Sequence, residues 1–171
     1  MGSVTPSSRT LSRAIARAVN PQSPGPVIEI GPGTGPVTQA LIERGIAEDR
    51  LVLVEYSPEF CDLLRRRFPK ARIVQGDAYA LAKTLDGMLS AKAAAVVCGL
   101  PLLTKPEPAR LALLAQAFSL MQAGGPFVQF TYSLTSPMPL RNAFFTWKAS
   151  PRIWLNVPPA RVWTYRQLSR N

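Results

Sequence analysis

The stretch Val27-Ile28-Glu29-Ile30-Gly31-Pro32-Gly33-Thr34-Gly35 constrains the fold more than any other part of the chain. Its apolar, β-branched start reads as a buried parallel strand, and Val37 to Ile42 carries apolar residues at helical spacing. Between them, three glycines stand two residues apart. Such a loop lets backbone approach a ligand where a Cβ would collide, and the helix behind it aims its N-terminal amides at the same point. Strand, glycine loop and helix together predict an α/β domain with a bound cofactor.

The same alternation continues downstream. A second strand, Leu51 to Val54, ends in Glu55 and leads into a helix from Pro58 to Phe68. A third, Ala71 to Val74, ends at Gly76-Asp77-Ala78, with a short helix near Ala80 to Leu85 and a loop at Asp86-Gly87. A fourth, Ala93 to Cys98, runs into Gly99-Leu100-Pro101. Leu111, Leu114, Ala115, Phe118 and Met121 trace a helix from Pro106 to Met121, stopped by Gly124-Gly125, before a fifth strand from Phe127 to Tyr132. Two further strands, Arg152 to Val157 and Arg161 to Leu168, joined through Pro158-Pro159, predict a tight antiparallel pair. The sum is an α/β fold: a mostly parallel seven-stranded sheet with a C-terminal antiparallel hairpin and helices on both faces.

With 171 residues, 47% of them hydrophobic, the chain is expected to form a single domain over 1–171 around its own core. No apolar run is long enough to span a bilayer and no signal-peptide pattern opens the chain, so a cytoplasmic location is the default expectation. The two cysteines, Cys61 and Cys98, lack metal-ligand spacing, and the chain has no His. No metal, no disulfide and no His-based general base or triad is expected. The net charge of +10 predicts attraction to nucleic acid, an anionic membrane surface or phosphorylated substrates without choosing among them.

Met1-Gly2-Ser3 reads as a cloning scar, and Pro6-Ser7-Ser8 offers an N-cap for a helix from Arg9 to Val19. Arg9, Arg13 and Arg17 recur every four residues there. The helix either packs one face on the domain or turns its cations to lipid headgroups. The cluster Arg65-Arg66-Arg67 sits where cations complement a helix C-terminus.

In an open α/β sheet the ligand lies beyond the carboxyl ends of the strands, where Gly31, Gly33, Gly35, Glu55, Asp77 and Gly99 all fall. Glu55, with Tyr56 beside it, suits a ribose diol, because a carboxylate accepts from both hydroxyls. Asp77 can accept from the exocyclic amine of adenine, and the Ala78 amide can donate to a ring nitrogen. Glu29, two residues before the first glycine, suits the ammonium end of a methyl donor and would repel a pyrophosphate. Pro36 occupies the position of the third glycine of Gly-x-Gly-x-x-Gly, which weakens a nicotinamide reading.

This set resembles the S-adenosylmethionine site of the Rossmann-like class I methyltransferases, whose five-strand alternation and closing hairpin match nearly the whole chain. Within that superfamily, Thr5-Pro6-Ser7-Ser8-Arg9, Glu29 to Gly35, Gly99-Leu100-Pro101-Leu102, Phe127 to Tyr132 and Asn156 to Trp163 resemble the bacterial phospholipid N-methyltransferases. The resemblance implies stepwise methylation of phosphatidylethanolamine, through its mono- and dimethyl forms, to phosphatidylcholine. It places the enzyme peripherally on the inner face of the cytoplasmic membrane, with S-adenosylhomocysteine (SAH) as product and no nucleic acid partner. Ribosomal RNA adenine dimethyltransferases share a similar glycine loop. They carry Asn-(Leu/Ile)-Pro-aromatic after the fourth strand, where an amide and a ring hold the flipped base. Gly99-Leu100-Pro101-Leu102 has neither, and no C-terminal helical RNA-binding domain follows. A catalytically silent basic module that binds membranes is the third alternative.

For the lipid reaction, Gly99, Leu100 and Pro101 are expected to position the acceptor amine. Tyr79 and Tyr132 are expected either to line the headgroup pocket, with hydroxyls for phosphate and ring faces for a methylated cation, or simply to cap strand ends over the core. Lys105, Arg141, Lys148, Arg152 and Arg161 are candidates for phosphate, and Trp147, Trp154 and Trp163 for the lipid interface or for hairpin packing. Members of the phospholipid family usually begin with an extra amphipathic segment. This chain starts almost at Pro-Ser-Ser, so the resemblance implies intact cofactor binding but poor turnover on bilayers.

Overall fold

The computed structural model describes residues 8–141 and 144–169; the expectations attached to Met1-Gly2-Ser3 and to Thr5-Pro6-Ser7 lie outside them. The first helix, α1 (Arg9–Arg17), begins where the Ser8 side chain accepts from the Leu11 amide at 3.2 Å. Leu11, Ile15 and Ala16 bury one face of α1 against α2 (Pro36–Arg44), and Arg13 pairs with Glu43 of α2 at 3.8 Å. The basic helix therefore packs on the domain, with Arg9 and Arg17 left in solvent.

The central strand is β1 (Val27–Ile30), buried at every position. It pairs in parallel with β2 (Leu51–Glu55) on one side and β4 (Ala95–Cys98) on the other, Ile30 lying between Val54 and Cys98. A strand flanked on both edges and covered on both faces has no solvated side, which is why its sequence is apolar on both faces except at Glu29. β3 (Arg72–Gln75) lies beyond β2, and β5 (Phe127–Thr131) beyond β4. With β6 (Phe145–Ala149) and β7 (Arg161–Gln167), the seven-stranded order is β3-β2-β1-β4-β5-β7-β6.

Two cores follow from the pleat of the central strands. Ile28, Ile30, Val52 and Val54 face one side and pack with Leu113, Leu114 and Phe118 of α5 (Glu107–Leu120), together with Leu81 of α4 (Leu81–Thr84). Val27, Leu51 and Leu53 face the other, beneath α1, α2 and α3 (Pro58–Arg67). The sheet, its mixed direction and its two-sided helical cover are as the sequence predicts.

The closing hairpin needs a correction. Its strands are β6 and β7, which pair antiparallel from Phe145↔Gln167 to Ala149↔Trp163; Arg152 to Val157 is not a strand. Pro151, Pro158 and Pro159 bracket that segment and supply no N–H, so a ladder cannot extend past either of its ends. What remains of the expected pair is one isolated bridge, Ile153↔Ala160. Phe145 to Ala149 meets no proline before Pro151, and Ser150 continues its pairing by donating its amide to the Val162 carbonyl at 2.8 Å.

Candidate functional site

Strand order reverses its direction of growth between β1 and β4, and a cleft opens at their carboxyl ends. Its cavity of about 220 Å³ is lined by Glu29, by Gly31 to Thr34, by Glu55 and by Gly99 to Pro101, with Ile15, Phe60 and Phe130 among its apolar walls. A single water needs only roughly 10–15 Å³ of such space, so the cavity has room for an organic ligand.

The glycines are required by geometry at two levels. Gly31, Gly33 and Gly35 have φ of 68°, 58° and 93°, a region that residues with a Cβ rarely adopt. The two strand ends also come into backbone contact. A Cβ on Gly99 would lie 2.5 Å from the Gly31 carbonyl oxygen, and one on Gly31 would lie 2.6 Å from a Leu100 methyl carbon. The Gly31 amide donates to Val54 at 2.9 Å and the Gly99 amide to Ile30 at 2.8 Å, which carries the sheet ladder up to the cavity.

Two carboxyl groups face this loop in different surroundings. Glu55 accepts from the Gly33 amide at 3.0 Å, the Tyr56 amide at 2.9 Å and the Ser57 amide at 3.1 Å, so backbone donors fix its orientation at the end of β2. Glu29 is fully buried, and the Thr38 hydroxyl donates to it at 2.6 Å. Burial pushes the Glu29 carboxyl up to about 7; the Thr38 bond opposes this shift and the Glu55 charge adds to it. A buried carboxyl with one hydroxyl partner beside an organic-sized cavity suits a cationic ligand group, which would favour its charged form.

The other expected residues divide. Asp77 caps the 3-10 turn Ala78–Ala80, its side chain accepting from the Tyr79 amide at 2.8 Å, and the adjacent Gly76 amide donates to the Glu55 carbonyl at 3.1 Å. Asp77 and Ala78 thus stand beside β2's end but outside the cavity wall, and the Tyr56 ring is 77% exposed. Tyr79 and Tyr132 do not line the cavity either. Lys105 Nζ lies 4.9 Å from the centre of the Tyr79 ring, whereas Tyr132 packs edge-on against Phe130, which does line it.

Sequence reasoning missed several supporting residues. Thr38 orients Glu29. Arg67 donates to the Thr34 carbonyl within the glycine loop, and Phe68 packs where a Cβ on Gly35 would go. Buried Gln129 on β5 donates its side-chain amide to the Leu100 carbonyl at 2.8 Å, fixing the strip after β4. A buried Thr or Gln inside an apolar pattern is the available signal, because burial without a partner is costly. Cys98 lines the cavity as a thiol, burial pushing it up to about 12. Among the described residues no group of His, Cys, Asp and Glu is placed to hold a metal.

A family model described as "Methyltransferase domain" matches residues 27–125, the span from β1 to the approach to β5. The chain belongs to this methyltransferase family. It is also 31% identical to an ornithine lipid N-methyltransferase of Singulisphaera acidiphila, over 97% of this chain and 88% of that one. Similarity to ribosomal RNA small subunit methyltransferase A of a Synechococcus strain reaches 44% identity over only 37% of this chain and 24% of the relative. Among solved structures, an O-methyltransferase from Bacillus cereus in complex with SAH superposes with a TM-score of 0.71 at 13% identity, covering 94% of this chain and 82% of that one, a likeness of fold. This methyltransferase is S-adenosylmethionine-dependent.

Proposed function

We propose that this methyltransferase N-methylates a lipid headgroup amine at the inner face of the cytoplasmic membrane, converting phosphatidylethanolamine stepwise to phosphatidylcholine. The observation that carries the reading is the extent of similarity. A relative named for lipid N-methylation aligns along 97% of the chain, whereas ribosomal RNA relatives align along 30% to 53% of it. Gly99-Leu100-Pro101-Leu102 supports it, since the strip has no side-chain amide and no ring with which to clasp a base.

S-adenosylmethionine supplies an electrophilic methyl group on a sulfonium when bound. The residues of the chain would hold it and exclude water. Glu29 takes the charged end of the donor, Glu55 the ribose hydroxyls with Tyr56 beside it, and Asp77 and Ala78 the adenine edge, while Gly31, Gly33 and Gly35 admit close backbone approach. The wall from Gly99 to Pro101, fixed through Gln129, holds the acceptor amine against the donor, an alignment that supplies most of what such a transfer requires. The attacking amine must be neutral, and the chain offers no His. Its proton leaves to water or to the lipid's own phosphate.

The name of the lipid relative favours a second acceptor, the amine of an ornithine lipid. Incubation of the protein with methyl-labelled donor and, separately, phosphatidylethanolamine in detergent micelles, ornithine lipid in the same micelles, and ribosomal RNA decides among them. Label is expected in mono-, di- and trimethylated phosphatidylethanolamine. Label confined to ornithine lipid replaces the acceptor, and label confined to RNA overturns the lipid reading.

A further inference from the structure

The carboxyl edge of the sheet carries a second feature that the cofactor cleft does not use. β7 runs antiparallel to both β5 and β6, so Thr131 at the end of β5, Ala149 at the end of β6 and Arg161 at the start of β7 all lie at this edge. The connection over 150–160 projects from it and is built inside out. Ile153 donates its amide to the Ala160 carbonyl at 2.7 Å and Ala160 returns the bond at 3.3 Å, closing a turn. Inside that turn Asn156 is only 3% exposed and donates its side-chain amide to the Pro158 carbonyl at 2.7 Å. Outside it stand Trp154, Leu155 and Val157, exposed by 69%, 83% and 86%.

A turn that buries its amide and presents three large apolar side chains is poorly matched to water, at roughly 25 cal/mol for each Å² of apolar surface left wet. It is well matched to an apolar medium, where a segment must satisfy its polar groups internally. Tyr132 and Leu134, just past the end of β5, add exposed apolar surface at the same edge.

Charge identifies the medium. After Glu107 the chain contains no further Asp or Glu but seven Lys or Arg. The Arg152 guanidinium lies over the Trp154 ring at 5.7 Å from its centre, and Arg161 stands at the base of the turn. A second copy docked tip to tip would bring the cations of the two turns together, with no acid in either turn to answer them. An anionic bilayer meets every requirement at once: acyl chains for Leu155 and Val157, the interfacial layer for the Trp154 indole, and lipid phosphates for the cations.

We propose that the 151–159 turn is a membrane wedge, inserting Trp154, Leu155 and Val157 into an anionic leaflet so that the sheet edge carrying the cofactor cleft faces the headgroups. The purpose of the wedge rests on the lipid reading above; its insertion does not. The test is flotation of the full chain with vesicles of phosphatidylcholine containing phosphatidylglycerol, comparing wild type with the triple variant Trp154→Ser, Leu155→Ser, Val157→Ser. Thermal unfolding and S-adenosylmethionine binding serve as checks that the variant folds. Partitioning is expected to weaken about tenfold to hundredfold. Vesicles with brominated acyl chains should quench the tryptophan fluorescence of wild type, and Trp154→Phe should lose most of that quenching while still binding. Equal partitioning of wild type and the triple variant overturns the wedge, as does quenching unaffected by Trp154→Phe, or a wild-type dimer that the triple variant abolishes without change in vesicle binding. Methylation of a short-chain phosphatidylethanolamine dissolved below its micellar concentration separates the two ideas. Turnover there without vesicle binding leaves the lipid reading standing and the wedge refuted, and vesicle binding without any lipid turnover does the reverse.

Discussion

The parallel part of the sheet and its antiparallel end treat polar and apolar groups in opposite ways. Around β1, β2 and β4 the apolar side chains are buried and the carboxylates at the strand ends are addressed by named donors: three amides for Glu55, a hydroxyl for Glu29. Around β6 and β7, buried Trp163 Nε1 and Arg161 Nε have no partner among the described residues, while Trp147, Trp154, Leu155 and Val157 stand in solvent. The first region is preorganised for a small polar ligand, which rewards fixed hydrogen-bonding groups. The second leaves large apolar side chains in water, the arrangement on which the proposed membrane wedge rests. The candidate site and the proposed wedge thus share one edge of one sheet but differ in what they bury.

The largest effect that would break this contrast is expected at Gly99. The backbone oxygen of Gly31 lies where a Cβ would go, so Gly99→Ala must push β1 and β4 apart at the cavity. Cofactor binding measured by calorimetry should fall by about a hundredfold or more and stability by about 2–4 kcal/mol. Near-normal binding would mean that the tight approach of the two strand ends is not what shapes the site.

Glu29 gives the next effect, and its sign is fixed by the direction of its shift. Its carboxyl titrates at about 7 in the folded chain against an ordinary 4.5. Below pH 4.5 both states hold the proton; between 4.5 and 7 only the folded state does, so the stability it contributes falls as pH rises through that window. The loss is on the order of 3 kcal/mol, and Glu29→Gln, neutral throughout, should flatten it in denaturant unfolding followed from pH 4 to 8. Binding of a cationic cofactor runs the other way. Wild-type affinity should rise between pH 5.5 and 7.5, and that of Glu29→Gln should not. Parallel pH profiles for the two proteins would remove Glu29 from the cationic end of the site.

The smallest effect sharpens the contrast at the antiparallel end. Ser136 Oγ lies 2.7 Å from the Tyr165 hydroxyl and accepts from the Met138 amide at 3.2 Å, tying β7 to the chain that follows β5. Ser136→Ala should cost about 1 kcal/mol in chemical denaturation and leave cofactor affinity unchanged. A change in affinity would mean that the two regions are mechanically coupled.

The three central parallel strands were legible because they are buried on both faces, a condition that writes apolar runs into Leu51 to Val54 and Ala95 to Cys98 and, interrupted only by Glu29, into Val27 to Ile30. The glycine loop, Glu29 and Glu55 were legible for a related reason, since polar or side-chain-free residues at the ends of such runs have few structural explanations. The last strand pair was not. Arg152 to Val157 reads as apolar enough for a strand, yet Pro151, Pro158 and Pro159 remove the donors on either side of it, its pairing stops at one bridge, and Trp154, Leu155 and Val157 point outward. Phe145-Thr146-Trp147-Lys148-Ala149 does alternate apolar and polar residues, a strand signal that the more apolar segment after it obscured, and the ladder with β7 makes it the strand.

The sequence by itself determined the α/β alternation, the glycine loop and the acidic residues at its strand ends, because periodicity, backbone freedom and charge are local properties. Only the tertiary structure decided that Gly99 touches Gly31, that Thr38 and Gln129 brace Glu29 and Leu100, and that Trp154, Leu155 and Val157 face out from the edge where the cofactor cleft opens. Each of these depends on which strands become neighbours and which face meets solvent, and non-local pairing selects both.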